Sequence, residues 1–323
     1  MTPAPAASPW DQLDLFIDGR DAILVHEVVT ALAARDPVRA GSGLARLERE
    51  HPAHPDLPVL GLLAEALRAP APEPPTHATV TARIEEIERR VAPAARRFLG
   101  PQATSWLRPV WQALAAAAAA VPFDEGHPRA HPGWLGQQCG DWPAVRDAIE
   151  REPDWRARPL LRCWMGLAQH HLGAPDEAVR LWLPLCWMEP AIFAGHAPGL
   201  PSASLREAWE AFERSASFDE ALAEATDATA WFPAWLLVRI PGLANLFRAE
   251  DAPGLDAPRR AFRTLLSLLP LEGRAPGDET PGQRRALEGE VIRRRRALRE
   301  ISPAFFHHYL AAVSRRASGV RAR

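Results

Sequence analysis

Residues 159–190 read PLLRCWMGLAQHHLGAPDEAVRLWLPLCWMEP. Trp164, Trp182 and Trp187 fall at helical spacings within this stretch, and prolines 159, 175 and 190 punctuate it. Proline is tolerated in the first turn of a helix and breaks its interior, so the pattern predicts helices separated by short turns. The same period extends outward. Leu24, Val28 and Leu32, flanked by Val25 and Val29, form one apolar stripe. Val80, Ile84, Ile87, Val91 and Phe98 form another, with charged residues between them. Leu205, Trp209 and Phe212 continue it, as do Phe218, Leu222 and Ala225. Strand-like alternation bounded by turn residues is not evident. The expected fold class is all-α.

The quoted window resembles a tetratricopeptide repeat, a helix-turn-helix unit of about 34 residues. The resemblance places Gly166 where the first helix needs a small residue for close packing, and Gly173 at the turn. Ala178 takes the small inward position of the second helix, Trp182 its bulky position, and Pro190 closes the unit. Arg162 stands where that family has tryptophan, and Gln169 where it has tyrosine. Cys139-Gly140-Asp141-Trp142 through Glu150 looks like half of a similar hairpin, and Asp36 to Pro52 like a degenerate second helix. The expected architecture is therefore an array of helical hairpins, tetratricopeptide-like or α-solenoid.

Breaks in this pattern set the expected organisation. Residues 1–17 form a flexible arm, 18–69 N-terminal hairpins, and 70–79 a proline-rich linker. Residues 80–270 form the helical-repeat body, 271–283 a loop, and 284–323 basic C-terminal helices.

The chain has 323 residues, 47% hydrophobic and 24% charged, with a net charge of −2. That is ordinary for a globular protein and makes no global demand for nucleic acid or membrane. It contains no lysine; all 38 basic residues are arginine. With its abundant alanine and proline, this matches the codon usage of a GC-rich bacterial genome. Cys139, Cys163 and Cys186 are odd in number and form no CxxC pair, so neither a zinc ribbon nor a disulfide framework is expected. No basic stretch precedes an apolar run at the N-terminus, and Ala113 to Val121 is too short to span a bilayer. A cytoplasmic protein with no membrane partner is expected.

The segment Gln12-Leu13-Asp14-Leu15-Phe16 carries the most specific functional signal. It resembles the pentapeptide with which bacterial replication and repair proteins dock on the DNA sliding clamp. The resemblance implies an adaptor in DNA replication or repair whose partner is that clamp. Leu15 and Phe16 would fill an apolar pocket, worth roughly 1.5–3 kcal/mol per buried side chain. Gln12 both donates and accepts hydrogen bonds, which suits a polar subsite that fixes register. The competing expectation is a general helical-repeat scaffold with no link to DNA, in which Leu13, Leu15, Phe16 and Ile17 cover one end of the body. In that reading Asp18 caps the following helix.

Catalytic signatures are not expected. Without lysine a Walker-type phosphate loop is excluded, and no nucleophile elbow is present. His51 with His54, and His127 with His131, are separated by proline-bearing loop sequence, so no metal site and no cofactor are assigned. Eleven of the twelve tryptophans lie between Trp106 and Trp235. Within that stretch Trp231, Phe232 and Trp235 are candidates either for a peptide groove or for the core, with Pro233 at a helix start. From Pro281 onward eleven arginines face three glutamates, a balance of +8 that leaves −10 on the rest. Arg293, Arg294, Arg295 and Arg296 are the candidate phosphate contacts there, and pairing with the acidic remainder is the alternative.

Overall fold

The computed structural model describes residues 9–68, 75–215, 227–273 and 280–317, with side chains described from Gly19 to Arg316 within those spans. Among the described residues the regular elements are all helical. The chain divides into two compact units, Met1–Ala148 and Ile149–Arg323. The stripe of Phe218, Leu222 and Ala225 lies outside the described residues.

The first unit contains α1 (Pro9–Ala33), α2 (Pro37–Glu50), α3 (Leu57–Arg68) and α4 (His77–Glu86). A π-helical turn, Ile87–Val91, joins α4 to α5 (Ala92–Leu99); α6 (Ala103–Ala118), α7 (Pro132–Cys139) and α8 (Trp142–Glu150) follow. The expected stripes form its core. Leu24, Val28 and Leu32 of α1 are buried in one cluster with Leu60, Leu63, Val80, Ile84, Ile87 and Val91. The π turn has a covalent cause. Pro93 has no N–H and its ring crowds the carbonyl one turn back, so a regular α-helix cannot continue through it. The ladder widens instead, with the Ala92 N–H bonded to the Ile87 carbonyl.

The second unit contains α9 (Pro159–His171), α10 (Pro175–Trp182), α11 (Leu185–Met188), α12 (Pro190–His196), α13 (Ala203–Glu213), α14 (Phe232–Arg239), α15 (Ala257–Glu272), α16 (Pro281–Ile301) and α17 (Pro303–Ala317). Its core is aromatic. Phe193, Trp209 and Phe232 meet with ring centroids 5.1–5.4 Å apart.

Three hairpins share one turn. α1 and α2 are joined through Arg35, α7 and α8 through Gly140, and α9 and α10 through Gly173. All three residues are left-handed, with φ of +54°, +67° and +87°. At each, two backbone N–H groups return to the ended helix: Arg35 to Leu32 and Asp36 to Ala31, Gly140 to Gln137 and Asp141 to Gly136, Gly173 to His170 and Ala174 to Gln169. This pairing satisfies carbonyls that a helix end leaves open. A proline then stands in the first turn of the next helix (Pro37, Pro143 or Pro175), where its missing N–H costs nothing. Asp36 and Asp141 also cap α2 and α8, accepting from Arg39 and Ala144 at 2.9 and 3.2 Å.

A glycine brings the paired helices together in each hairpin. A Cβ on Gly43 would lie 2.8 Å from Val28, on Gly136 2.7 Å from Val145, and on Gly166 2.2 Å from the Trp182 indole nitrogen. Trp182 is fully buried and donates that N–H to the Cys163 carbonyl at 3.1 Å. Arg162 occupies the tryptophan position of the resembled repeat. Its guanidinium donates to the carbonyls of Leu181 (2.9 Å) and Arg180 (3.4 Å), closing the C-terminus of α10.

Several expected boundaries move. The 80–270 body is divided between Ala148 and Ile149, while the 70–79 linker separates helices of a single core. Residues 69–74 lie outside the described residues, and α4 starts at His77 because Thr76 and Thr79 form a reciprocal cap. The 271–283 loop shortens for the same reason. α15 continues to Glu272, and Thr280 with Gln283 caps α16 at Pro281. The 1–17 arm is helical from Pro9 onward, since no proline or glycine interrupts Trp10 to Asp18. Residues 1–8 lie outside the described residues.

Candidate functional site

The pentapeptide Gln12, Leu13, Asp14, Leu15 and Phe16 falls in the first turns of α1 by backbone; its side chains lie outside the described residues. Asp18 is inside α1 and does not start a helix. Among the described side chains of α1, Leu24 is the first that is buried, and Gly19, Arg20 and Ile23 before it are exposed.

Trp231, Phe232 and Trp235 do not form an exposed groove. They are 2%, 0% and 1% exposed. Pro233 does stand at a helix start, but α14 is apolar on every side and sinks into the aromatic core. Trp231 stacks on Phe305 with centroids 5.2 Å apart, and Trp235 lies parallel to His308 at 6.1 Å. Burial, reinforced by Arg315 and Arg239, pushes the His308 pKa down to about 4.

The four consecutive arginines of α16 divide by role. Arg293 and Arg294 both donate to Glu290, through Nε at 2.9 and 2.7 Å. These bonds hold the Glu290 carboxyl below its ordinary range. Arg295 pairs with Glu272 of α15 at 2.8 Å and donates to the Tyr309 hydroxyl at 3.1 Å, which itself donates to Glu272. Arg296 is exposed, and no partner for it occurs among the described residues. Local acids thus engage three of the four candidate phosphate contacts.

The histidines hold turns. His131 caps α7 by accepting from Gly133 at 3.0 Å, His54 accepts from Asp56 at 3.2 Å, and His127 meets Asp124 at 2.9 Å. Among the described residues no three His, Cys, Asp or Glu side chains converge as a metal site. All three cysteines are buried, and burial pushes the Cys163 thiol up to about 12 and Cys186 upward as well. No described helix is long and apolar enough to cross a membrane.

A cleft of about 410 Å³ opens in the first unit. Glu88, Ala92 and Arg96, four residues apart on one face of the π turn and α5, form one side. Ala103, Thr104, Leu107 and Trp111 of α6 form the other, and Gln138 of α7 closes an end. Four of the lining residues (Ala92, Ala103, Leu107 and Trp111) are apolar, and the other four supply an acid, a guanidinium, a hydroxyl and an amide. One wall is braced. Glu88 is paired with Arg129, whose guanidinium lies 4.4 Å over the Trp134 ring, and Trp134 meets Trp111 edge-on at 6.0 Å. Arg97 turns away to Asp56 at 2.6 Å, whereas Arg96 has no partner among the described residues. Sequence reading missed this cleft because it depends on how α5, α6 and α7 pack. Its one local signal is Pro93 inside an otherwise helical stripe.

Comparison of the chain with protein-family models, with curated proteins and with solved structures finds no match in any of the three.

Proposed function

We propose that this protein is a non-catalytic adaptor. Its helical-hairpin units present surfaces to partner proteins, and Gln12–Phe16 docks on the bacterial DNA sliding clamp to bring them to sites of replication or repair. The carrying observation is the five-position match to the clamp-binding peptide. The described residues that follow it are compatible with the reading, since Gly19, Arg20 and Ile23 are exposed and Leu24 is the first of them to be buried. Gly19 lies between the pentapeptide and Leu24 and weakens the helix by roughly 1 kcal/mol relative to alanine. The reading requires the pentapeptide to rearrange on the clamp without disturbing Leu24, Val28 and Leu32. Tethering of this kind raises effective concentration without new chemistry. An affinity on the order of micromolar is expected, because ordering the segment offsets part of the gain from Leu15 and Phe16.

The test is titration of the purified protein with the sliding clamp of its own bacterium. Leu15→Ala with Phe16→Ala abolishes binding and leaves the melting temperature within about 1 °C, since about 1 kcal/mol would move it by several degrees. A free peptide spanning Trp10 to Asp18 competes. The scaffold reading without DNA has one observation in its favour, the unbroken course of α1 from Pro9. It requires the same double substitution to lower stability and the clamp to remain unbound.

A further inference from the structure

We infer that the cleft between α5 and α6 is a binding site for a small apolar carboxylate, with Arg96 receiving the carboxylate and Leu107 and Trp111 the apolar body. The inference is independent of the clamp proposal, because no residue of α1 lines the cleft. Its volume, about 410 Å³, lies in the range of small-ligand sites, and its lining is half apolar (Ala92, Ala103, Leu107 and Trp111) and half polar or charged.

The charges on the rim set the sign of the ligand. Glu88 is already paired with Arg129, so its negative charge is compensated. Arg96 lies eight residues further along the same face, about 12 Å away at 1.5 Å per residue, too far to share that acid. The neighbouring Arg97 is held by Asp56, whereas Arg96, which lines the cleft, has no acidic partner among the described residues. A guanidinium is built for bidentate contact with a planar carboxylate. The Glu88–Arg129–Trp134–Trp111 chain ties the Glu88 side of the cleft to Trp111 on the other side before any ligand arrives, which limits the ordering cost of binding.

Two sources supply this chemistry, a free organic acid and the C-terminal residue of a polypeptide. The full-length protein is titrated calorimetrically with phenylacetate and indole-3-acetate, with their carboxamides, and with tripeptides ending in Leu or Phe as free acids or amides. Saturable binding of the acids is expected, with dissociation constants between about 10 μM and 1 mM, and the amides at least tenfold weaker. Binding of the free acids alone identifies a small-molecule site; binding of the tripeptide acids alone identifies a chain terminus. Either upholds the proposal. Arg96→Gln, on an exposed helix position, weakens binding at least tenfold, whereas Arg97→Gln leaves it unchanged. Glu88→Gln strengthens it several-fold by removing a negative charge from the rim and releasing Arg129. The proposal is overturned if neither kind of acid saturates below about 10 mM, if acids and amides bind alike, or if Arg96→Gln binds as the unaltered protein does.

Discussion

Replacing Gly166 by alanine tests the packing of the hairpin most directly. The added Cβ would sit 2.2 Å from Nε1, 2.6 Å from Cδ1 and 2.7 Å from Cε2 of Trp182. Ordinary carbon contacts begin near 3.5 Å, so the indole must retreat by more than about 1 Å. It has little room to do so, because Trp182 is fully buried and its N–H is bonded to Cys163. Overpacking of this kind costs about 1–3 kcal/mol. Losing the bond leaves a buried donor unpaired, for about 1–3 kcal/mol more. Alanine returns about 1 kcal/mol through helix propensity. The net expectation is a loss of about 3 kcal/mol, read as faster amide hydrogen exchange across α9 and α10 and a lower urea midpoint. Combined with Trp182→Leu, the substitution costs at least about 1.5 kcal/mol less than the two separately, since the smaller side chain makes room for the methyl group. A Gly166→Ala protein within about 0.5 kcal/mol of the original, or additive with Trp182→Leu, would refute the argument.

Four other variants probe individual side chains or a pair of them. Arg162→Leu removes the two donors that close α10 and destabilises the second unit by about 3 kcal/mol or more, since hydrogen bonds from a charged group contribute about 1.5–3 each; urea titration measures it. His308 is neutral in the fold, with a pKa of about 4 against 6.5 for the free side chain, so the unfolded chain takes up its proton first as pH falls. Its contribution is complete above pH 6.5 and lost as pH falls toward 4, up to about 3 kcal/mol, and His308→Phe flattens the stability–pH curve across that window. If α16 contacts DNA, Arg296→Gln with Arg299→Gln reduces the salt slope of that binding by about 0.9 for each phosphate left without its arginine. Arg293→Gln leaves that slope unchanged because Arg293 is engaged by Glu290; equal effects at the two sites would reject this division of roles.

The parts of the fold that depend on neighbours three or four residues apart were legible in the sequence. The stripes at Leu24, Val80 and Leu205 all enter cores, and Gly166, Gly173, Ala178 and Trp182 take the places that the resemblance to a helical repeat implies. Burial of the Trp231–Trp235 segment was not legible, because spacing marks an aromatic cluster as apolar without saying whether other helices cover it. Phe193, Trp209 and Phe305, which do cover it, lie tens of residues away in the chain. The cleft escaped for a related reason: the residue pairs that define it, Glu88 with Arg129 and Trp111 with Trp134, are brought together by tertiary packing.

The turn at Arg35 shows how far a local rule reaches. The left-handed position that ends α1 has the same backbone bonds as those at Gly140 and Gly173, yet a side chain occupies it. An L-residue there costs roughly 1–2 kcal/mol relative to glycine. The compensation comes from α6, more than seventy residues away. The Arg35 guanidinium donates to the Trp106 carbonyl and lies 5.4 Å over the Trp106 ring, while the Trp106 indole donates to Leu32 at 2.7 Å. Trp106 therefore satisfies a carbonyl in the last turn of α1 and anchors the residue that turns the chain into α2. The glycine turns at 140 and 173 can form from local sequence, but the α1–α2 turn is completed only when α6 packs against it. The α1–α2 hairpin that carries the clamp-like pentapeptide is thus bound to the core of the first unit at its turn and along Leu24, Val28 and Leu32, while Gly19, Arg20 and Ile23 before them are exposed.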